Sequence, residues 1–221
     1  MRFTGTHDQD QLLDESLPIT WRHINKLAGC GALGDLGSHL LSISQFIMGD
    51  ITKVNAVATT VFPKRPKSAG STEMVDVENE DIMTFMAEYA NGAIGQIACS
   101  RVATGRKNYL TYEIQGTKGS VRYDLERMGE VQVYFQSDNE RDRGFRTVLL
   151  NPLMKGYSAF QPAGGISIAY NDMKILEVHA LFDAITNGAD YVTDFEFGYK
   201  IDRTVAAVIE SSKTHEWVDV K

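Results

Sequence analysis

Asp35 and His39, four residues apart, are the pair whose types and spacing could do chemistry in this chain. Side chains at i and i+4 of a helix share one face. Leu36, Leu40, Ile43 and Ile47 recur at helical spacing through this stretch, which predicts a helix from Leu36 to Met48 with Gly49 as its stop. A carboxylate beside an imidazole suits general acid–base work on a hydroxyl, because imidazole accepts and returns a proton near neutral pH. On spacing alone, a histidine held by an aspartate for structural reasons is the simpler account. His179 and Asp183 also stand four apart with no other chemistry around them, so such pairs arise by chance. What lifts Asp35 and His39 is the run of glycines before them, which lets a ligand or another segment approach closely.

That run, Gly29-Cys30-Gly31-Ala32-Leu33-Gly34, matches the G-x-G-x-x-G pyrophosphate fingerprint. A working site needs a buried strand directly before the glycines. Residues 21–28 are too polar for one, and Asp50 precedes the next strand where a ribose-binding acid would end it. The glycines are therefore expected to make a tight entry into the helix. Cys30 and Cys99 are the only cysteines, with no CxxC and no histidine at ligand spacing, which predicts reduced thiols and no metal site. A hydrolase is disfavoured, since no G-x-S-x-G occurs and neither cysteine has an evident base.

The bulk numbers are those of a soluble globular chain: 221 residues, 43% hydrophobic and 23% charged. A net charge of −7 repels phosphate backbones and argues against nucleic acid as a partner. The densest basic run, Lys64-Arg65-Pro66-Lys67, lies in a Pro/Gly/Ser-rich stretch followed by acidic residues and is expected to be a solvated loop. No apolar run approaches the ~18 residues of a membrane span, and the first residues carry no secretion signal. The cytoplasm is the expected compartment.

The elements that must position the pair follow from periodicity. Residues 1–20 read as an irregular or loosely helical lead-in. After the helix come strands over 54–62, 82–89, 93–99, 109–115, 120–123, 131–135 and 145–149, with a long loop at 63–80 and a tight Asn91-Gly92 turn. A glycine-rich loop at 156–165 leads to helices over 172–186 and 196–212, and 216–220 reads as a closing strand. The order implies one α+β domain over 1–221: a large, mostly antiparallel open sheet with helices on one face.

Trp21-Arg22 followed by Gly29-Cys30-Gly31-Ala32-Leu33-Gly34-Asp35-Leu36-Gly37-Ser38-His39 resembles the "WR … GGG-x-l-x-D-x-G-x-H" signature of the glucose–fructose oxidoreductase/inositol dehydrogenase family. Asn91-Gly92-Ala93-Ile94-Gly95 with Ser100-Arg101, then Gly116-Thr117-Lys118-Gly119-Ser120, then Phe195-Glu196-Phe197-Gly198 extend the likeness along nearly the whole chain. The resemblance implies the C-terminal domain of a two-part enzyme, with the open sheet of a dihydrodipicolinate-reductase-like C-terminal domain and the Rossmann domain absent. It implies Asp35 and His39 as catalytic residues, and Trp21, Arg22, Arg101, Arg106, Lys107 and Asn108 as residues of a polyol or sugar pocket. NAD or NADP would serve the complete enzyme, with no cofactor expected for this chain alone. The implied partners are further copies through the open sheet face and a separate Rossmann-domain chain. Three departures stand out: Cys30 replaces the middle glycine, Phe197 replaces an aspartate, and the Glu-Lys-Pro lysine is missing. The chain is thus expected to be an excised domain, a truncated product or one subunit of a split enzyme. The competing reading is a non-catalytic sugar-binding or oligomerisation module derived from such an enzyme.

Overall fold

A computed structural model describes every residue except Lys155. Nine strands form one open sheet: β1 (Arg2–Asp8), β2 (Ile51–Thr59), β5 (Ile82–Tyr89), β6 (Ile94–Ser100), β7 (Tyr109–Gln115), β8 (Gly119–Asp124), β9 (Glu130–Phe135), β10 (Arg146–Leu149) and β11 (Val218–Asp219). Their order is β10-β9-β8-β7-β1-β6-β5-β2-β11. All pairings are antiparallel except that of β1 with β6. Two short strands, β3 (Lys64–Pro66) and β4 (Met74–Asp76), make a separate hairpin. The helices are α1 (Asn25–Ala28), α2 (Ser38–Met48), α3 (Tyr170–Asn187) and α4 (Phe195–Thr214).

The core lies between one sheet face and helices α2 and α4. Strand β5 shows the alternation that builds it, with Met83, Phe85, Ala87 and Tyr89 buried and Thr84, Met86 and Glu88 exposed. Leu40, Leu41 and Met48 of α2 and Ile201, Ala207 and Val208 of α4 complete it. Burying a side chain of this size contributes on the order of 2 kcal/mol each. Polar ties fix the helices to the sheet: Gln45 of α2 donates to Thr204 of α4 at 3.2 Å, and the amide of Ala56 donates to Ser211 at 2.9 Å. The α+β reading with helices on one face therefore holds.

Two expectations need correction. Residues 1–20 are no lead-in, because Arg2–Asp8 is a central strand, hydrogen-bonded to β6 on one side and β7 on the other. Phe3, Gly5 and His7 face the core, with Thr4 and Thr6 between them. The basic run at 64–67 is not wholly solvated either. Lys64 and Lys67 pair at the surface with Asp76 and Glu73, but Arg65 is fully buried. Its guanidinium donates to the carbonyls of Leu12, Asp14 and Leu17, binding the segment after β1 to the 63–80 region. A charge can be buried there because backbone carbonyls replace its water.

Candidate functional site

The helix that carries the pair does not begin as an α-helix. Leu33–Gly37 form a π-turn, closed by the Ser38 amide donating to the Leu33 carbonyl, and α2 continues from it. Such one-turn bulges recur at functional sites because the extra residue re-aims side chains. Asp35 is presented by this turn and His39 by the first turn of α2. They stand on adjoining turns four residues apart, and the Asp35 charge favours the protonated imidazole.

His39 has an exposed edge, yet the protein around it still disfavours its charged form. Burial lowers its pKa first, then the neighbouring His7; Lys174 of α3 pushes the same way, and Asp35 opposes them. His7 is buried at 4% exposure and meets the His39 ring edge-on, centroids 5.6 Å apart. Its Nδ1 lies 3.0 Å from the carbonyl of Leu36 inside the π-turn. A carbonyl only accepts, so Nδ1 carries a proton. Its Nε2 lies 3.0 Å from Oδ1 of Asn108, which also accepts from Gln9 at 3.0 Å. His7 thus joins β1, the π-turn and the end of the 101–108 loop. Sequence reasoning missed it. The alternation of Phe3, Gly5 and His7 was its only signal, and the intervening threonines made that segment look polar.

Asp35 lines a cleft together with Trp21, Arg22, Cys30, Gly31, Gly34 and Arg101. Arg22 Nε stands 3.8 Å from Asp35 Oδ2 and lies over the Trp21 ring at 4.7 Å. Both partners are substantially exposed, so this ion pair is weak and free to rearrange round a ligand. Burial first, then the Glu80 charge, pushes the Cys30 thiol up to about 11, which leaves it un-ionised.

The structure thus brings Trp21, Arg22 and Asp35 together at the cleft, and sets His39 against His7, whose Nε2 meets Asn108. Arg101 lines the cleft, but its charge is spent in a buried ion pair: Nε donates to Asp81 at 2.8 Å, both groups almost fully enclosed. Arg106 lies over the Tyr109 ring at 3.5 Å, and Lys107 reaches Asp10 at 2.5 Å, so neither joins the pair.

The glycine run cannot cradle a pyrophosphate. Glu80 already fills it: its carboxylate accepts from the Gly31 amide at 2.9 and 3.0 Å and from the Leu33 amide at 2.9 Å. A Cβ added at Gly31 would lie 2.0 Å from the Glu80 carbonyl oxygen, so the glycine is there for close backbone approach. A dinucleotide does not fit these residues. Among the described residues no group of three His, Cys, Asp or Glu side chains could hold a metal ion, and no helix is long and apolar enough to cross a membrane.

A family model described as the GFO/IDH/MocA C-terminal domain matches residues 1–122. Levoglucosan dehydrogenase of Pseudarthrobacter phenanthrenivorans is 38% identical over 233 residues, covering all of this chain and 59% of that protein. The crystal structure of an NAD binding oxidoreductase from Klebsiella pneumoniae superposes with a TM-score of 0.94 at 39% identity, again over 100% of this chain and 59% of the other. Levoglucosan dehydrogenase in complex with NADH and levoglucosan gives a TM-score of 0.94 at 38% identity, over 100% of this chain and 58% of that one. The chain spans about three fifths of the length of these relatives.

Proposed function

Because the chain belongs to the GFO/IDH/MocA family, we propose that it is the substrate-binding part of an NAD(P)-dependent dehydrogenase that oxidises a hydroxyl of a sugar, sugar derivative or cyclitol. The observation that carries this reading is the π-turn, which sets Asp35 on the turn adjoining His39, whose surroundings disfavour its charged form. Asp35 accepts a hydrogen bond from a substrate hydroxyl and fixes the sugar's orientation, with Trp21 and Arg22 as the wall of the cleft. His39 Nδ1 or Nε2 takes the proton of the hydroxyl being oxidised, and Asn108 lines the floor through its bond to His7. NAD or NADP, bound by a part of the enzyme outside these residues, supplies the hydride acceptor. Levoglucosan is the anhydro-sugar bound by the relative above, and it is the first substrate to test.

The same reading assigns partners. Helix α3 carries Ile175, Val178, Leu181, Phe182 and Ile185 exposed along one stripe, a seat that suits a nucleotide-binding part or chain. The sheet face away from α2 and α4 exposes Val57, Met86 and Ile94 and suits contact between copies. Two unpaired thiols suit the cytoplasm. The test is activity on levoglucosan after assembly with a nucleotide-binding part. His39→Ala is expected to lower turnover at least ~100-fold, as for loss of an acid–base group. Near-normal turnover would make the pair structural. Titration of NADH into the chain alone is expected to give no binding.

A further inference from the structure

The cleft that Asp35 lines is built from two stretches of the chain. Trp21 and Arg22 come from one, and Cys30, Gly31, Gly34 and Asp35 from the other. Four consecutive residues leading into β5, Glu78-Asn79-Glu80-Asp81, reach both. Glu78 accepts from the Asn25 amide at 2.6 Å, and Glu80 fills the glycine run. Asp81 accepts from Arg101 at 2.8 Å and from the Val61 and Phe62 amides at 2.7 and 3.2 Å. Those three carboxylates accept; Asn79 is the member of the run whose side chain donates.

Asn79 is 2% exposed. Its Nδ2 lies 3.0 Å from the carbonyl oxygen of Arg22 and 3.3 Å from that of Cys30. Carbonyls only accept, so the group between them is the amide nitrogen, with one hydrogen for each. One buried side chain thus ties the two stretches of the cleft backbone to backbone. Its Oδ1 has no partner among the described residues, so these two bonds are what its amide contributes. Arg101, also buried, supports the tie. Its guanidinium donates to the Arg22 carbonyl and to the Asn79 carbonyl, each at 3.4 Å, and the Thr60 hydroxyl donates to that same Asn79 carbonyl at 3.2 Å.

The side chain of Arg22 is loose by comparison. It is substantially exposed, lies over the Trp21 ring and stands 3.8 Å from Asp35, contacts that hold it weakly. Its backbone is instead fixed by donors that are themselves buried, and a buried donor does not readily give up its acceptor. This wall of the cleft has a fixed base and a movable tip. A group that fixes such a base governs how a ligand is seated without touching it.

We propose that Asn79 is a positioning residue: by joining the Arg22 and Cys30 carbonyls it sets the gap between Trp21–Arg22 and Asp35, and so the fit of a sugar ring there. The inference rests on the proposed function for the identity of that ligand. Arg101, expected in the pocket, then acts through the Arg22 backbone. The test compares Asn79→Ala with Gln45→Ala, which cuts a buried tie whose partners, Thr204 and Ile51, line no part of the cleft. Both should lower the melting temperature. In a Trp217→Phe background Trp21 is the only tryptophan, and acrylamide quenching of its fluorescence reads that wall without any sugar. Asn79→Ala should raise the quenching slope. After assembly with a nucleotide-binding part, it should raise KM for levoglucosan roughly 3- to 10-fold, the worth of one hydrogen bond, with kcat nearly kept. Gln45→Ala should change neither. Asn79→Ser, which keeps a donor, should fall between parent and alanine, and it carries the comparison if the alanine variant does not fold. Either reading equal to the parent's in both Asn79 variants, or moved no further than by Gln45→Ala, would overturn the proposal. No turnover by the assembled parent would overturn the proposed function instead, and the quenching slope of the chain alone would still decide for or against Asn79.

Discussion

At the scale of single residues, the protonation of His39 is set first by burial and then by three named neighbours. His7 and Lys174 disfavour its protonation and Asp35 favours it, on top of the effect of burial. Its NMR titration midpoint is expected to lie below the ~6.5 of a free imidazole. Glutamine at position 7 keeps a donor for the Leu36 carbonyl but removes the competing imidazole, so His7→Gln should move that midpoint up. Lys174→Met should also move it up, and Asp35→Asn should move it down. A midpoint indifferent to all three would leave burial as its sole cause. The sign for stability follows: the unfolded chain takes up this proton at higher pH than the folded one. The contribution of His39 is therefore present above ~6.5 and is lost as pH falls through its lower folded value. The same depression keeps the base form available on the mildly acidic side, so the acid limb of kcat/KM should lie below ~6.5.

At the scale of elements, the turn between Gly29 and Gly37 depends on one carboxylate. Glu80→Gln leaves one of its oxygens replaced by a donor facing amide donors and should destabilise the chain by about 1–3 kcal/mol; chemical unfolding measures this. Gly31→Ala should cost at least as much, since its Cβ would run into the Glu80 backbone with no soft side chain to yield. Sequence showed this turn's glycines but not the glutamate 49 positions on that fills it. Elements with strong periodicity were legible: β5, β6 and the Asn91-Gly92 turn, where Gly92 has φ 80°, stand where alternation and turn chemistry place them. Helix α2 was legible from its apolar repeat and its Gly49 stop, while the π-turn before it was not, because an inserted residue leaves no periodic mark. Strand β1 escaped because its core face holds a glycine and a histidine. For the candidate site, the spacing of Asp35 and His39 was readable, and Asn108, expected in the pocket, stands in the structure against His7. His7 became visible only through long-range packing, as did the burial of Arg65 and Arg101.

At the scale of the whole molecule, two surfaces are more apolar than an isolated domain needs. The stripe on α3 is one, and the Val57, Met86 and Ile94 face is the other. The second alternates with Thr84, Gln96 and Glu88, giving a mixed surface of the kind found where copies associate reversibly. Sedimentation at high micromolar concentration is expected to show an oligomer, and Val57→Lys with Ile94→Lys should return it to monomer with unchanged melting. A monomer at every concentration would remove the sheet face from the list of contacts. The position of β1 bears on how the chain reaches this form at all. His7 closes register with Cys99 on one side and Leu110 on the other. Strand β1 must therefore wait, unpaired, until β6 and β7, some ninety residues and more further on, have emerged, and must then slot between them. Contacts so distant in sequence make slow folding. Until they form, β6 and β7 each present an open edge, and those edges are where an overexpressed chain would begin to aggregate.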